Sequence, residues 1–371
     1  NCVKVCSALT ARRKSSKDFN QVSRALSATC SMKFSKHAKI LAIILITAIL
    51  ISIPISAFFG SADVSISDVF DVIKYKLGIG EKAAGKNFIV IVWNLRLPRV
   101  LLAISVGCGL SVSGVTMQSI TRNVMAEPYT LGVSSGASLM AAFYITRLEG
   151  IVPLPFGVDV SAFIGAVLAM IFVYGFASRK DYASNYKLIL TGIIVGMIFA
   201  AFKELLVATC ANPNKVNSVV LWEMGGFGSA RWNNILIPVV VSIVGSIMLI
   251  CLSDQLNLIS VGEQTATSMG VSIKNLQRAS ILLTSMITGI MVAASGIISF
   301  VGLIIPHIVR RIVGADHKKV LPLSALFGAF FMIWIDVIAR VIIAPQELAV
   351  SVLTSVFGGP LLLLLIRRRK S

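Results

Sequence analysis

Three arginines and an aspartate are the groups with which this chain could do chemistry. RLPR puts Arg96 and Arg99 three positions apart, and DVIAR puts Asp336 and Arg340 four apart. Spacings of three and four bring side chains onto one helix face, so Asp336 and Arg340 are placed to pair. A guanidinium presents a planar fork that can hold a carboxylate through two hydrogen bonds. The chemistry open to these residues is therefore charge recognition. Lys203 and Glu204 add two ionisable groups within an apolar run, where such residues are functional candidates by default.

Bond-making chemistry lacks its parts. The six cysteines form no CxxC pair, and with His37, His307 and His317 they form no cluster of metal-ligand spacing. An intramembrane enzyme would need a nucleophile–base or metal constellation, and there is no HExxH. No GxxxxGK[ST] phosphate loop is present, so any ATP hydrolysis must belong to another polypeptide. No catalytic residue, metal site or cofactor is expected.

The elements that carry these residues follow from composition. The 371 residues are 56% hydrophobic and only 13% charged, with a mean hydropathy of +0.87. Soluble domains carry about 25% charged residues, so most of this chain is solvated by lipid. A span needs about 20 apolar residues as a helix, because backbone polar groups must be satisfied within the segment. Ten segments qualify: 38–59, 95–119, 129–147, 158–178, 187–210, 232–252, 277–295, 298–313, 320–343 and 350–366. The eighth is short, and Gly296 before it with Pro306 inside it predicts a broken helix. The fold expected is all-α and polytopic.

Charge sets the orientation. With both termini inside, the inner side holds 23 basic and 6 acidic residues and the outer side 11 and 10. The net charge of +18 thus expresses topology and attraction to the membrane surface rather than nucleic-acid binding. Residues 1–31 are basic and polar without an apolar period, so they read as a disordered extension upstream of Met32, with the ten-helix transmembrane domain at 32–371. Outside, DVSISDVFDVIKYKLG predicts a short amphipathic helix capped by Ser67, and 211–231 a second short helix ended by Gly225 and Gly226. Inside, 253–276 has apolar residues every three or four positions, a pattern suited to docking a partner. A shift of 182 superposes Gly107 on Gly289, Ser113 on Ser295, Gly114 on Gly296 and Gly132 on Gly314, as an inverted repeat would.

Two long segments carry a family resemblance. RLPRVLLAISVGCGLSVSGVTMQSITRNVMAEPYTLGVSSGASL at 96–139 resembles the signature of the permease subunit of iron-siderophore, haem and cobalamin ABC importers. ASGIISFVGLIIPHIVRRIVGADHKKVLPLSALFGA at 294–329 resembles that family's second signature, and LWEMGGFGSARW at 221–232 its short outer helix and turn. RNVMAEP departs from the family, which commonly has Pro and Leu at Val124 and Met125.

The resemblance implies a homodimer with the substrate path along its interface, two ATP-binding subunits docked inside and a substrate-binding protein outside. It implies that Arg96, Arg99 and Arg340 receive carboxylates of the binding protein. Asn123, with Ser184 and Asn185 of a nearby loop, falls where the family narrows the inner exit. The 253–276 loop, marked by Gly262, Glu263, Met269 and Gly270, becomes the element seated in the ATPase. Its Ile259, Val261, Met269, Val271 and Ile273 would otherwise be left in water. A wide path for a bulky chelate suits the small and soft residues Gly107, Ser111, Gly114, Met117, Gly196 and Met197. A ferric siderophore, haem or cobalamin would be the cargo, crossing the cell membrane into the cytoplasm. An ion-coupled secondary transporter is the alternative, although it would need midplane carboxylates or unwound helices as ion sites.

Overall fold

A computed structural model describes residues 16–60, 64–76, 78, 85–152, 157–177 and 185–367, with side chains left out at 16–35, 86, 185–186 and 364–367. The chain divides into two compact units, 1–44 and 45–371. In the first, every described residue is helical. Helix α1 is Ser16–Phe58, so residues 16–31, expected to lack structure, have helical backbone. No Gly or Pro lies between Ser16 and Ile53 to break a helix.

The rest is all-helical. Helix α2 is Ile66–Lys76 and α3 is Ile89–Thr121, π-helical as far as Arg96. After a short 3₁₀ turn, Pro128–Leu131, come α4 (Val133–Phe143), α5 (Gly157–Ala177), α6 (Asn185–Ala208), α7 (Pro213–Glu223) and α8 (Trp232–Cys251). Then follow α9 (Ser253–Val261), α10 (Glu263–Ser268), α11 (Ile273–Ser295), α12 (Val301–Val313), α13 (His317–Val341) and α14 (Val350–Arg367). Each of the ten expected spans holds a helix. Seven of these are long and apolar enough to cross a membrane: Lys36–Phe58, α3, α5, Lys187–Ala208, α8, α11 and α13. The others, at α4, α12 and α14, are shorter.

Helix α3 is the central post, packed against α8, α11, α12 and α13. Small residues allow this. A Cβ at Gly107 would collide with the Gly328 carbonyl of α13, and one at Gly328 with Ser111 and the Gly107 carbonyl. Gly136 and Gly165 bring α4 and α5 together in the same reciprocal way. In lipid such close approach replaces the hydrophobic drive, since tails are as apolar as the side chains.

The irregular segments satisfy their backbone groups locally. The cap of α2 is Ser65 rather than Ser67: Ser65 Oγ accepts the Asp68 N–H at 3.2 Å, and the Asp68 carboxylate accepts the Ser65 N–H at 3.0 Å. This is a capping box, and it turns Val69 and Val72 into a core with Ala57, Val64 and Val92, while Phe70 stays exposed. Asn212 caps α7, accepting the Asn214 N–H at 3.0 Å, with Pro213 in the first turn. The expected break precedes α12: residues 296–300 are non-helical, whereas Pro306 lies within an intact helix.

Candidate functional site

Arg96, Arg99 and Arg340 converge with Asp336 at one end of α3 and α13. Asp336 is fully buried and takes two guanidiniums. Arg99 donates to it from Nε at 2.8 and 3.1 Å and from Nη2 at 2.8 Å. Arg340, one turn on, places Nε 3.1 Å from the other carboxylate oxygen. Arg340 also donates to the Phe59 carbonyl at 2.6 Å and the Ser56 hydroxyl at 2.9 Å. Arg96 donates to the carbonyls of Ala57 and Phe58 at 2.7 and 2.8 Å, closing the C-terminal end of α1.

Two further residues complete the site, and the sequence did not single out either. Glu347, on the turn after α13, accepts from Arg99 Nη1 through both oxygens at 2.8 Å. Arg231 stands before α8. With Gly60, Ile91, Leu95, Gly228 and the three arginines they line a cleft of about 320 Å³. Glu347 sits in IIAPQELA, where no periodicity marks its direction, so only the fold could reveal it. The three predicted arginines are largely buried and internally paired, so they do not project freely toward a partner. Glu347 and Arg231 are exposed, as are the lining residues Leu95 and Gly228.

The other end of α13 holds the 253–276 segment. Asp316 caps α13, accepting the Lys318 N–H at 3.1 Å, and also accepts from Asn257 of α9 at 2.9 Å. Asn257 Oδ1 in turn accepts the His317 N–H at 2.9 Å and lies 2.8 Å from His317 Nδ1. Lys318 pairs with Asp254 at 2.7 Å. Burial works against the Asp316 carboxylate, yet the bonds from Asn257, Lys318 and Lys319 prevail and hold its pKa below the ordinary value. Arg122, left-handed at φ 50°, donates to the Ile259 carbonyl at 3.1 Å and reaches Glu263 at 3.5 Å. The segment is thus latched to both α3 and α13.

Within it, Gly262 separates α9 from α10, and Gly270 has φ +85° with open space around it. Val261 and Met269 are exposed, but Ile259 is buried with Leu256 and Ala266 against the protein's own helices. Ile259, expected to need a docked partner to keep it from water, is covered within this chain instead. A helical period of three to four turned it inward.

The RNVMAEPYT stretch crosses the break before α12. Glu127 accepts the Phe300 N–H at 3.0 Å and Tyr129 donates to the Ile298 carbonyl at 2.8 Å, so two orphan backbone groups find partners. Asn123 Oδ1 accepts the Met125 N–H at 2.9 Å, closing a local turn. Ser184 lies outside the described residues, and only the backbone of Asn185 is described, at the start of α6.

The residues expected along the path fall in different places. Gly107, Ser111, Gly114 and Met117 are buried between helices of this chain: Gly107 and Ser111 against Gly328, Gly114 against Gly302, and Met117 beside Thr284. Within this chain they pack against neighbouring helices. Gly196 lies close to Ser135. Met197 is 67% exposed on α6, whose Ile193, Ile198 and Phe202 also face outward. Lys203, also on α6, pairs with Glu223 of α7 at 2.9 Å rather than with its neighbour Glu204. GVSSG at 132–136 spells GxSxG in letters, but Ser134 lies in the first turn of α4 with no strand before it, so no nucleophile elbow forms.

The chain thus joins a helical membrane core to an ion-paired cleft at one end of α13 and a latched helical pair at the other. The chain belongs to the FecCD transport family, whose model matches residues 43–368. It is the permease subunit of an ABC importer, and ATP-binding and substrate-binding partners follow from that class. The hemin transport system permease HmuU of Yersinia pestis is 37% identical over 75% of this chain and 84% of its own. The cobalamin import system permease BtuC of Halobacterium salinarum is 36% identical over 76% and 74%. Similar relatives include the Fe(3+)-citrate permease YfmD of Bacillus subtilis and the molybdate permease MolB of Haemophilus influenzae, at 32% and 36% identity over 84% and 76% of this chain and 90% and 82% of their own. A solved chain of a metal-chelate type ABC transporter, in an inward-facing conformation, superposes with a TM-score of 0.77. It is 32% identical, over 89% of this chain and 99% of that one.

Proposed function

We propose that this permease imports an iron chelate, with a ferric siderophore as its cargo ahead of haem or cobalamin. Two chains, with both termini cytoplasmic by the count of basic residues, form the channel in the cell membrane. The outward face of α6 around Met197 is the surface offered to the second copy. The observation that carries the reading is the placement of two charged assemblies on one rod. Asp316 and Asp336 are 20 residues apart along α13, about 30 Å at helical rise, which matches the hydrocarbon thickness. The arginine cleft at one end suits an acidic binding protein outside. The α9–α10 pair at the other suits the ATPase inside, and α13 links them.

The iron preference draws support from relatives named for haem and Fe(3+)-citrate, while those named for cobalamin and molybdate supply the competing substrates. The test is uptake into proteoliposomes that hold the permease with its ATPase and binding protein. Ferric siderophore, haem, cobalamin and molybdate are offered separately, with ATP or with an ion gradient alone. ATP-dependent uptake of the ferric siderophore is expected. Preferential uptake of another cargo would overturn the substrate assignment.

A further inference from the structure

We infer that Glu347 is an exchangeable occupant of Arg99, seated where a carboxylate of the docked binding protein comes to lie. The inference rests on the docking role proposed for the arginine cleft. The Arg99 guanidinium has two working edges. Its Nε–Nη2 edge is fixed on Asp336, whose side chain is 1% exposed and which also holds Arg340. Its Nη1 side is met by both oxygens of Glu347, whose side chain is 46% exposed. One carboxylate is locked in the protein, and the other stands in water.

The supports of the two acids differ in the same way. Asp336 lies within the long helix α13, packed on α3. Glu347 lies in the non-helical segment between α13 and α14, whose residues 342–347 are all exposed. Releasing Glu347 therefore uncovers little apolar surface and returns a carboxylate to solvent, where it is readily hydrated. The newcomer restores the same two hydrogen bonds on Nη1. Exchange leaves the number of ion pairs unchanged, so it avoids the cost of stranding a buried charge.

Charge decides the kind of partner. Among the described residues, the cleft gathers Arg96, Arg99, Arg231 and Arg340 around Asp336 and Glu347, four cations against two anions. Arg231 is exposed and directs Nη1 to the Gly228 and Ala230 carbonyls at 2.9 and 2.6 Å. It is the cation nearest solvent and supplies a second contact for an acidic side chain. An acidic surface on the binding protein fits this cleft, and displacing Glu347 raises the local positive charge that receives it.

The experiment measures binding-protein affinity for the reconstituted transporter at fixed low ionic strength. The Glu347→Ala variant is compared with the parent, with Glu149→Ala as an exposed acid away from the cleft, and with Arg99→Gln and Arg231→Gln. Arg231→Gln, being at the surface, keeps the test alive if Arg99→Gln fails to assemble. Glu347→Ala should bind about two- to sixfold tighter, the factor expected when a half-exposed ion pair no longer holds the site closed. Glu149→Ala should match the parent, and the arginine variants should bind more weakly. If Glu347→Ala binds no tighter while the arginine variants weaken, docking stands and exchange is overturned. Equal tightening by Glu149→Ala would reduce the effect to general charge and also overturn exchange. Arginine variants that bind like the parent would remove the docking reading and the exchange with it.

Discussion

Arg99 and Asp336 stand 237 positions apart in the chain and meet in a buried, doubly hydrogen-bonded ion pair at the end of α3 and α13. Asp336 neutralises Arg340 as well, so a single carboxylate holds two guanidiniums in a region with little water. Pairs of this kind contribute little net stability when intact, but removing one partner strands the others.

Asp336→Ala should therefore be among the most damaging single substitutions in the chain. A loss of about 3–5 kcal/mol is expected, because buried Arg340 loses its carboxylate partner and Arg99 the more buried of its two. Glu347→Ala removes only the half-exposed partner and should cost less than about 1 kcal/mol. Thermal unfolding of the two purified variants in detergent gives the comparison. Equal stability would show that the Arg99 network is solvated.

Gly107 tests whether a residue expected along the path serves packing instead. Gly107→Val should force α3 from Gly328 and destabilise the protein by about 1–3 kcal/mol, as overpacking does. Met197→Ala on the open face of α6 should leave unfolding unchanged. Were Gly107→Val to unfold like the parent while transport alone fell, Gly107 would belong to the path.

Gly270 has a left-handed backbone and an empty surrounding, so strain alone decides what can replace it. Gly270→Val should lower transport and the stimulation of ATPase activity by the binding protein, with membrane insertion intact. Gly270→Asn, which tolerates that conformation, should retain more of both. Normal coupled transport in the Val variant would take the α9–α10 segment out of the mechanism.

Asn257 joins α9 to the start of α13 through Asp316 and His317. Asn257→Ala should weaken that latch by about 1–3 kcal/mol, since buried partners are left unmatched. Binding-protein affinity should stay constant while its stimulation of ATP hydrolysis drops. The Asp316 contribution to that latch should be constant from about pH 5 to 8. Because the folded pKa of Asp316 is lowered, its stabilising contribution is present above the ordinary carboxylate value and is lost only as pH falls through the folded one. A fall in stimulated ATPase between pH 8 and 5 that is present in the parent and absent from Asp316→Asn would contradict this.

The sequence by itself determined the solvent, the class and the ends of the chemistry. Mean hydropathy and apolar runs of about 20 residues require lipid-spanning helices, because backbone groups have no other partner there. The i, i+4 spacing of Asp336 and Arg340 was enough to pair them, and Gly296 marked the break before α12. These are local properties, set within one helix or one turn.

Tertiary structure decided the rest, for reasons of distance along the chain. Small residues in α3 fit equally a channel wall or a helix crossing, and only the positions of Gly328 and Gly302 show that they face helices. Ile259 is apolar in a loop, and its inward direction depends on where α9 rests. The sharing of Asp336 by Arg99 and Arg340, the approach of Glu347 from a segment without periodicity, and the latch through Asn257 all join residues far apart in sequence. Side-chain spacing specifies partners within a helix, whereas contacts between helices are set by which backbones can approach.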